Sequence, residues 1–322
     1  MASENQIKFG TLDIDKCYFG QNIISEVYLG NLLVFKDGPA FTAPKVAWSY
    51  TGFTDKVLNV VVDNKDDIYA VSADKSLRKI SPSGTQSFRY TDLSEYGIGL
   101  AVDNSYNVYA GCTDSRLKKI TPSNTLEWSR YYRDWIRAVV TDNDGNVYIG
   151  CDKGTINKLN STGREIWENT DCYGWVYGVA IDSTGNVYGC GTSKTIVKLS
   201  PTGTLIWRFD KYYLVPRSIT VDGEGNVYAG AEDGTVRKIS NDGQQVWSFN
   251  TGIAKVMTVA VDNLGNIYAG DDNGTVKKIS QDGKKLWEIA THTGNINAIC
   301  VDFKYNVYTA GDDKTVKKIT QL

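Results

Sequence analysis

Carboxylates, phenols and amines recur at fixed intervals along this chain. Asp63, Asp103, Asp142, Asp182, Asp222, Asp262 and Asp302 are spaced by 40 residues with a single interval of 39. Six residues after each stands a tyrosine: Tyr69, Tyr109, Tyr148, Tyr188, Tyr228, Tyr268 and Tyr308. Lysines follow at Lys79, Lys119, Lys158, Lys198, Lys238, Lys278 and Lys318. Such sets could form a ring of charge or an acid–base constellation. Their repetition points elsewhere, because a group that every repeat carries serves the repeat, whereas a site breaks the pattern. The aspartates are expected to accept hydrogen bonds at a strand–turn junction, with the lysines lying along the sheet within pairing reach of them.

Other candidates for chemistry are few. Asp142-Asn-Asp144-Gly145-Asn146 has the look of a calcium loop, but Asp182-Ser-Thr-Gly-Asn186 and Asp222-Gly-Glu-Gly-Asn226 occupy the same place in neighbouring repeats. The glutamate that such a loop needs twelve residues from its start is missing, so no metal is expected. His292, the single histidine, lies between two repeats with no nucleophile motif beside it and reads as a solvated loop residue. Cys17, Cys112, Cys151, Cys172, Cys190 and Cys300 lack metal-ligand spacing and read as small core residues. No catalytic residue and no cofactor is assigned. The enzyme alternative, a lyase- or lactonase-like channel site, would need inward-facing acids, histidines or a metal.

One segment does vary between repeats. Seven residues before each aspartate stand Lys56, Tyr96, Trp135, Trp175, Val215, Lys255 and Asn295, so three consecutive repeats carry an aromatic there. The same connections add Tyr90, Tyr131, Tyr132, Tyr173, Tyr212 and Tyr213, with Arg130, Arg133, Asp134 and Asp171 beside them. Rings on a surface stack on the C–H faces of sugars while flanking polar groups bind hydroxyls. The candidate ligand-binding residues, for glycan or protein, are therefore Tyr96, Tyr131, Tyr132, Trp135, Tyr173, Trp175, Tyr212 and Tyr213. Packing between repeats is the alternative for some of them.

The elements that must position these residues are short strands. Thr258–Asp262 is β-branched and is followed by the turn Asn263–Asn266; Ile267–Gly270, Thr275–Ser280 and Lys285–Ile289 follow, each after a tight turn. Four strands make one antiparallel blade, and seven blades close a ring, so the fold class is all-β, a seven-bladed β-propeller. Small residues four before each aspartate, from Asn59 to Ala298, suggest close strand approach near the axis. The aromatics of the fourth strands, Trp48, Phe88, Trp128, Trp167, Trp207, Trp247 and Trp287, begin before the first aspartate. The last blade thus lacks a strand, which Lys45–Tyr50 is expected to supply.

Residues 45–322 form the propeller, residues 39–44 a linker, and residues 1–38 a separate β module for docking or oligomerisation. In that module Ile7–Gly10, Cys17–Gly20 and Val27–Gly30 end in glycine every ten residues, and Tyr18, Phe19, Tyr28 and Leu29 are its candidate docking residues. A piece this small buries little alone and is expected to lean on another chain or a second copy, a small hairpin packed on the propeller being the alternative. A net charge of −2 with no basic tract gives no footprint for nucleic acid. No apolar run approaches membrane-spanning length, and the start lacks a signal-peptide pattern, so folding in a cytosol is expected.

The stretch from Ile14 to Phe35, with Cys17-Tyr-Phe-Gly20 and Ile24-Ser-Glu-Val-Tyr-Leu-Gly30 followed by Leu32-Leu-Val-Phe35, resembles the N-terminal module of tail and baseplate proteins of phages infecting Gram-positive bacteria. The resemblance covers about residues 6–36 and departs from the pattern at Cys17 and Phe19. It implies a virion protein, assembled in the bacterial cytoplasm, whose N-terminus docks on other tail or baseplate proteins and whose larger part meets host polysaccharide or teichoic acid. Val259-Ala-Val-Asp262 with Gly265-Asn-Ile-Tyr-Ala-Gly270 is similar to NHL-type repeats, and Ser280-x-x-Gly283-x-x-x-Trp287 to quinoprotein-like ones. The resulting expectation is a non-enzymatic tail fibre or receptor-binding component. A scaffold for protein contacts is the alternative.

Overall fold

The computed structural model describes residues 43–252 and 254–321, together with the strand backbones Ile7–Phe9, Leu12–Ile14, Glu26–Leu29 and Leu32–Lys36. The chain divides into two units, residues 1–45 with 320–322, and residues 46–319. In the first unit Ile7–Phe9 pairs with Leu12–Ile14 and Glu26–Leu29 with Leu32–Lys36, both antiparallel. Tyr28 and Leu29 fall in the second hairpin, whereas Tyr18 and Phe19 lie outside the described residues.

The second unit consists of seven four-stranded antiparallel sheets. Blade 1 runs Val57–Val62, Ile68–Ser72, Leu77–Ile80 and Gln86–Tyr90, and blades 2 to 6 repeat this order. Blade 7 takes Ile296–Val301, Val307–Gly311 and Val316–Thr320 from the end of the chain and closes with Lys45–Tyr50 from before blade 1. The second strands are buried throughout, whereas the fourth strands are largely exposed on the perimeter. Apolar clusters therefore alternate with sheets, each assembled from two adjacent blades.

Within each blade the repeated acid and phenol meet. The tyrosine hydroxyl donates to Oδ2 of its aspartate at 2.8 to 3.1 Å in all seven blades. Oδ1 accepts backbone N–H groups two and four residues on, as from Glu224 and Asn226 to Asp222, which shapes the turn after the first strand. The repeated lysine lies over the tyrosine ring, Lys158 Nζ 5.1 Å from the Tyr148 centroid, instead of pairing with the aspartate. Lys79 also forms an ion pair, with Asp67, a residue that stands where the other blades have asparagine.

The fourth-strand indole packs against the same tyrosine, as Trp207 does on Tyr188 at 6.0 Å. Its Nε1–H crosses to the next blade: Trp48 donates to the Pro82 carbonyl, Trp167 to Pro201, Trp207 to Asn241 and Trp247 to Gln281. These carbonyls belong to third-to-fourth-strand turns, where a glycine at positive φ lets the ring approach; a Cβ on Gly84 would lie 3.0 Å from Trp48. The seam between blades 1 and 2 is built differently. Phe88 replaces tryptophan there, and the facing turn has Asn124 at φ 63 in place of glycine. The same seam also inverts a size pair: in four other seams a second-strand glycine such as Gly230 receives a branched side chain such as Val256, but here Gly97 receives Val71.

Tyr228→Phe keeps the ring and removes the hydroxyl that serves Asp222. It is expected to lower the unfolding free energy by about 2 kcal/mol in urea denaturation, as for a buried hydrogen bond to a charged group. A change below about 0.5 kcal/mol would mean that the turn amides and Asn226 satisfy the carboxylate without it.

Candidate functional site

The connection from each fourth strand to the next first strand is anchored by one backbone bond. The carbonyl seven residues before the aspartate accepts the N–H of the residue opening the second-to-third-strand turn: Thr113 to Tyr96, Asp152 to Trp135, Thr192 to Trp175 and Glu232 to Val215, with the equivalent bond at Lys56, Lys255 and Asn295. The scaffold thus fixes the main chain of this position seven times over and leaves its side chain free to differ. Tyr96, Trp135 and Trp175 are 43%, 43% and 47% exposed, on the face that carries these turns.

Two residues further on, every first strand has a β-bulge. The register shifts at Val57/Asn59, Gly97/Gly99, Ile136/Ala138, Val176/Gly178, Pro216/Ser218, Val256/Thr258 and Ile296/Ala298. The extra residue escapes the ladder, and its side chain is re-aimed. Leu58, Ile98, Arg137, Tyr177, Arg217, Met257 and Asn297 are those residues, and all line a central channel of about 380 Å³. Leu58, Ile98 and Met257 on one side of this ring are apolar, with Asn297 between Met257 and Leu58 bonded to the Val57 carbonyl and Asp312, whereas Arg137, Tyr177 and Arg217 make the other side charged and aromatic.

These side chains join the exposed indoles. The Arg137 guanidinium lies 5.2 Å from the Trp135 ring, 4.9 Å from Trp175 and 5.2 Å from Tyr177. It is held by both carboxylate oxygens of Asp152, through Nε and an Nη. Arg217 lies 4.5 Å from Tyr177 on the adjacent blade and pairs with Glu232 through Nε at 2.7 Å. Trp175 meets Tyr177 edge-on at 6.3 Å. The result is a patch of rings and charge-paired guanidiniums at the channel mouth over blades 3 to 5.

The expected aromatics divide into two groups. Tyr131, Tyr173 and Tyr213 are exposed, Tyr213 at 83%. Tyr212 is buried, edge-on to Phe209 with Arg237 over its ring, and Tyr132 packs against the cluster between blades 2 and 3, so both belong to the core and not to a surface site. Tyr90 is likewise buried. Ten residues before six of the seven aspartates the chain tucks an anchor inward: Phe53, Leu93, Tyr132, Cys172, Tyr212 and His292 share this position, whereas before Asp262 it is the exposed Gly252. Arg130 donates to Ser129 and Thr162 and lies over Trp128, which commits it to the perimeter strand. Asp134 accepts the Trp135 amide, and Asp171 is taken by Asn169 and Arg208.

Arg137, Tyr177 and Arg217 escape a reading based on alternation. The bulge adds a residue to each first strand, so a two-residue period places them on the wrong face. Alignment of the repeats at five residues before the aspartate would have isolated them, since arginine and tyrosine stand there in place of the leucine, isoleucine, methionine and asparagine of the other blades.

The other candidates for chemistry are absorbed by the scaffold. Asp142 accepts from Asp144 N, Asn146 N, Asn146 Nδ2 and Tyr148 Oη, which fills its lone pairs. Burial would raise the Asp182 pKa, but hydrogen bonds from Thr184, Asn186 and Tyr188 outweigh it and hold the carboxyl below its ordinary range. His292 is not solvated; it is 6% exposed and occupies the anchor position of the last connection. Its Nδ1 lies 2.7 Å from Asp313 and its Nε2 2.8 Å from Thr309 Oγ1, so a neutral ring donating at Nδ1 is satisfied at both nitrogens. Burial lowers its pKa against the opposing pull of Asp313. Cys112, Cys151, Cys172 and Cys190 are free and buried, Cys300 is free and partly buried, and Cys17 lies outside the described residues. Among the described residues no group of three His, Cys, Asp or Glu is placed to hold a metal ion.

Fold and repeat chemistry together define a seven-bladed β-propeller with Asp–Tyr-pinned blades. A family model described as "Outer membrane protein assembly factor BamB" matches residues 152–313, half of the chain, and the chain belongs to that family of propeller repeats. Among solved structures it is similar to the WD40 β-propeller domain of Doa1, with a TM-score of 0.80 and 16% identity, covering 88% of this chain and 98% of that one. That likeness concerns the fold. No match was found among curated proteins.

His292 has a folded pKa below its ordinary 6.5, so the unfolded chain takes up a proton first as pH falls. Its contribution is therefore complete at neutral pH and is lost as pH drops below about 6.5 toward the folded value. His292→Leu, following Leu93 at the same position, is expected to flatten the dependence of melting temperature on pH between 7 and 5. An unchanged slope would assign that acid sensitivity to other groups.

Proposed function

We propose that this chain is a non-enzymatic binding propeller of a phage tail or baseplate, gripping host cell-surface glycan through the channel-mouth face over blades 2 to 5. The observation that carries this reading is the position whose main chain is fixed identically in every blade, while its side chains diverge to Tyr96, Trp135 and Trp175. Rings backed by Arg137 and Arg217 suit a ligand with apolar C–H faces and many hydroxyls. The tail placement rests on the resemblance of residues 6–36, and residues 1–38 would dock the protein on tail partners or on a second copy. The adjacent exposed pair Tyr213 and Leu214 favours a second reading, in which the same face contacts a protein of the assembly.

The triple variant Tyr96→Ala/Trp135→Ala/Trp175→Ala removes exposed groups and is expected to stay folded. Its binding to Gram-positive cell walls in a pull-down should fall at least tenfold. Undiminished binding by the folded variant would refute the glycan-binding face. Separately, a chain lacking residues 1–38 is expected to bind walls but to be absent from assembled particles, and its incorporation would remove the docking role.

A further inference from the structure

We infer that Asn157, Glu165 and Glu168 form a slot on the rim of blade 3 that takes a lysine side chain of a partner protein. This surface is separate from the channel mouth and does not rest on the glycan reading.

The repeat defines what such a position holds. Fifteen residues after the aspartate, in the third strand, five blades carry a cation: Arg78, Lys118, Arg237, Lys277 and Lys317. Four of these side chains donate to the carbonyl eleven residues before the aspartate, Arg78 to Gly52, Lys118 to Asp92, Arg237 to Lys211 and Lys317 to Thr291, while Lys277 pairs with Asp271. In blade 4 Val197 takes the position, and Arg208 of the fourth strand reaches the equivalent carbonyl of Asp171. Six blades thus supply a cation of their own at this place.

Blade 3 supplies acids instead. Asn157 is fully buried and ends short of where a lysine ends, and Glu165 and Glu168 of the fourth strand flank it. Its Nδ2 donates to them at 3.0 and 3.1 Å, which gives both carboxylates a hydrogen bond but no opposite charge. Glu165 has no ion pair among the described residues, and Glu168 has Lys153 at 3.7 Å, itself 60% exposed. Arg130, which has Tyr132 as a neighbour in common with Glu165, is engaged by the Ser129 and Thr162 carbonyls and the Trp128 ring.

The other atom of the same amide, Asn157 Oδ1, is buried without a donor, and a buried acceptor left unpaired is costly. Two carboxylates and this oxygen make a set of acceptors around one amide, and a primary ammonium has three N–H groups to give and none to accept. Lysine is the side chain that the repeat itself fits here, at Lys118, Lys277 and Lys317. Both glutamates are exposed on the perimeter strand, so a lysine of a neighbouring protein reaches them from outside.

Thermal denaturation of the full chain at constant ionic strength tests this, with about 50 mM Nα-acetyl-lysine amide, glucosamine, calcium chloride or sodium chloride added. The lysine probe is expected to raise the melting temperature by about 2 °C over sodium chloride. That gain should disappear in Glu165→Gln/Glu168→Gln, which alters two exposed positions and is expected to stay folded. Asn157→Lys, which gives blade 3 the residue of its neighbours, should raise the melting temperature without any probe and remove the response; if it does not fold, the double glutamine variant decides alone. No response to the lysine probe, a response that survives in the double variant, or a larger response to calcium or glucosamine would overturn the inference. A response that appears only in Arg130→Gln would identify Arg130 as the cation of this slot and overturn it as well.

Discussion

A hydrogen bond from a buried tyrosine to an aspartate six residues earlier is the constraint on which this structure depends. It joins the first two strands of each blade across the turn that the same aspartate shapes. An ionised carboxylate in such a place is costly unless its lone pairs are filled. Here two amides, the phenol and, in six blades, an asparagine amide fill them. The tyrosine ring then offers its faces to a lysine above and to the fourth-strand aromatic beside it. One pair of side chains therefore ties together all four strands of a blade, and the indole N–H carries the tie to the next.

Because the repeated groups are consumed in this way, what remains for function is what the blades do not share. The seven identical anchor bonds and seven bulges give fourteen places where the backbone is dictated and the side chain is not. Rings and arginines occupy six of the eight such places on blades 2 to 5, with Ile98 and Val215 in the other two, while blades 1, 6 and 7 present Lys56, Lys255, Asn295, Asn297, Leu58 and Met257. This asymmetry is what the binding proposal rests on, because the anchor bond and the bulge recur in every blade whereas these side chains do not.

Most of the fold was legible in the sequence because the repeat aligns with itself. The Asp–Tyr spacing, the fourth-strand aromatic and the missing last strand gave blade number, strand order and the closure of blade 7 by Lys45–Tyr50. Small residues four before the aspartate were correctly tied to close approach: a Cβ on Gly99 would stand 2.7 Å from Val139. The site was only half legible. Exposed Tyr96, Trp135 and Trp175 followed from their divergence, but Tyr132 and Tyr212 share the composition of their neighbours and differ only in an inward-facing anchor that three-dimensional packing reveals. His292 was misplaced for the same reason. The channel residues stand out in the aligned repeats by residue type, but the bulge that turns them toward the channel cannot be read from a two-residue period.

Amide hydrogen exchange on the full chain, with and without a wall polysaccharide that it captures, tests the central claim most directly. New protection in residues 131–137 and 171–177, on the face carrying the anchored connections, is the predicted result. Protection confined to the opposite turns, such as 262–266 and 302–306, or to the perimeter strands would contradict the assignment of the binding face.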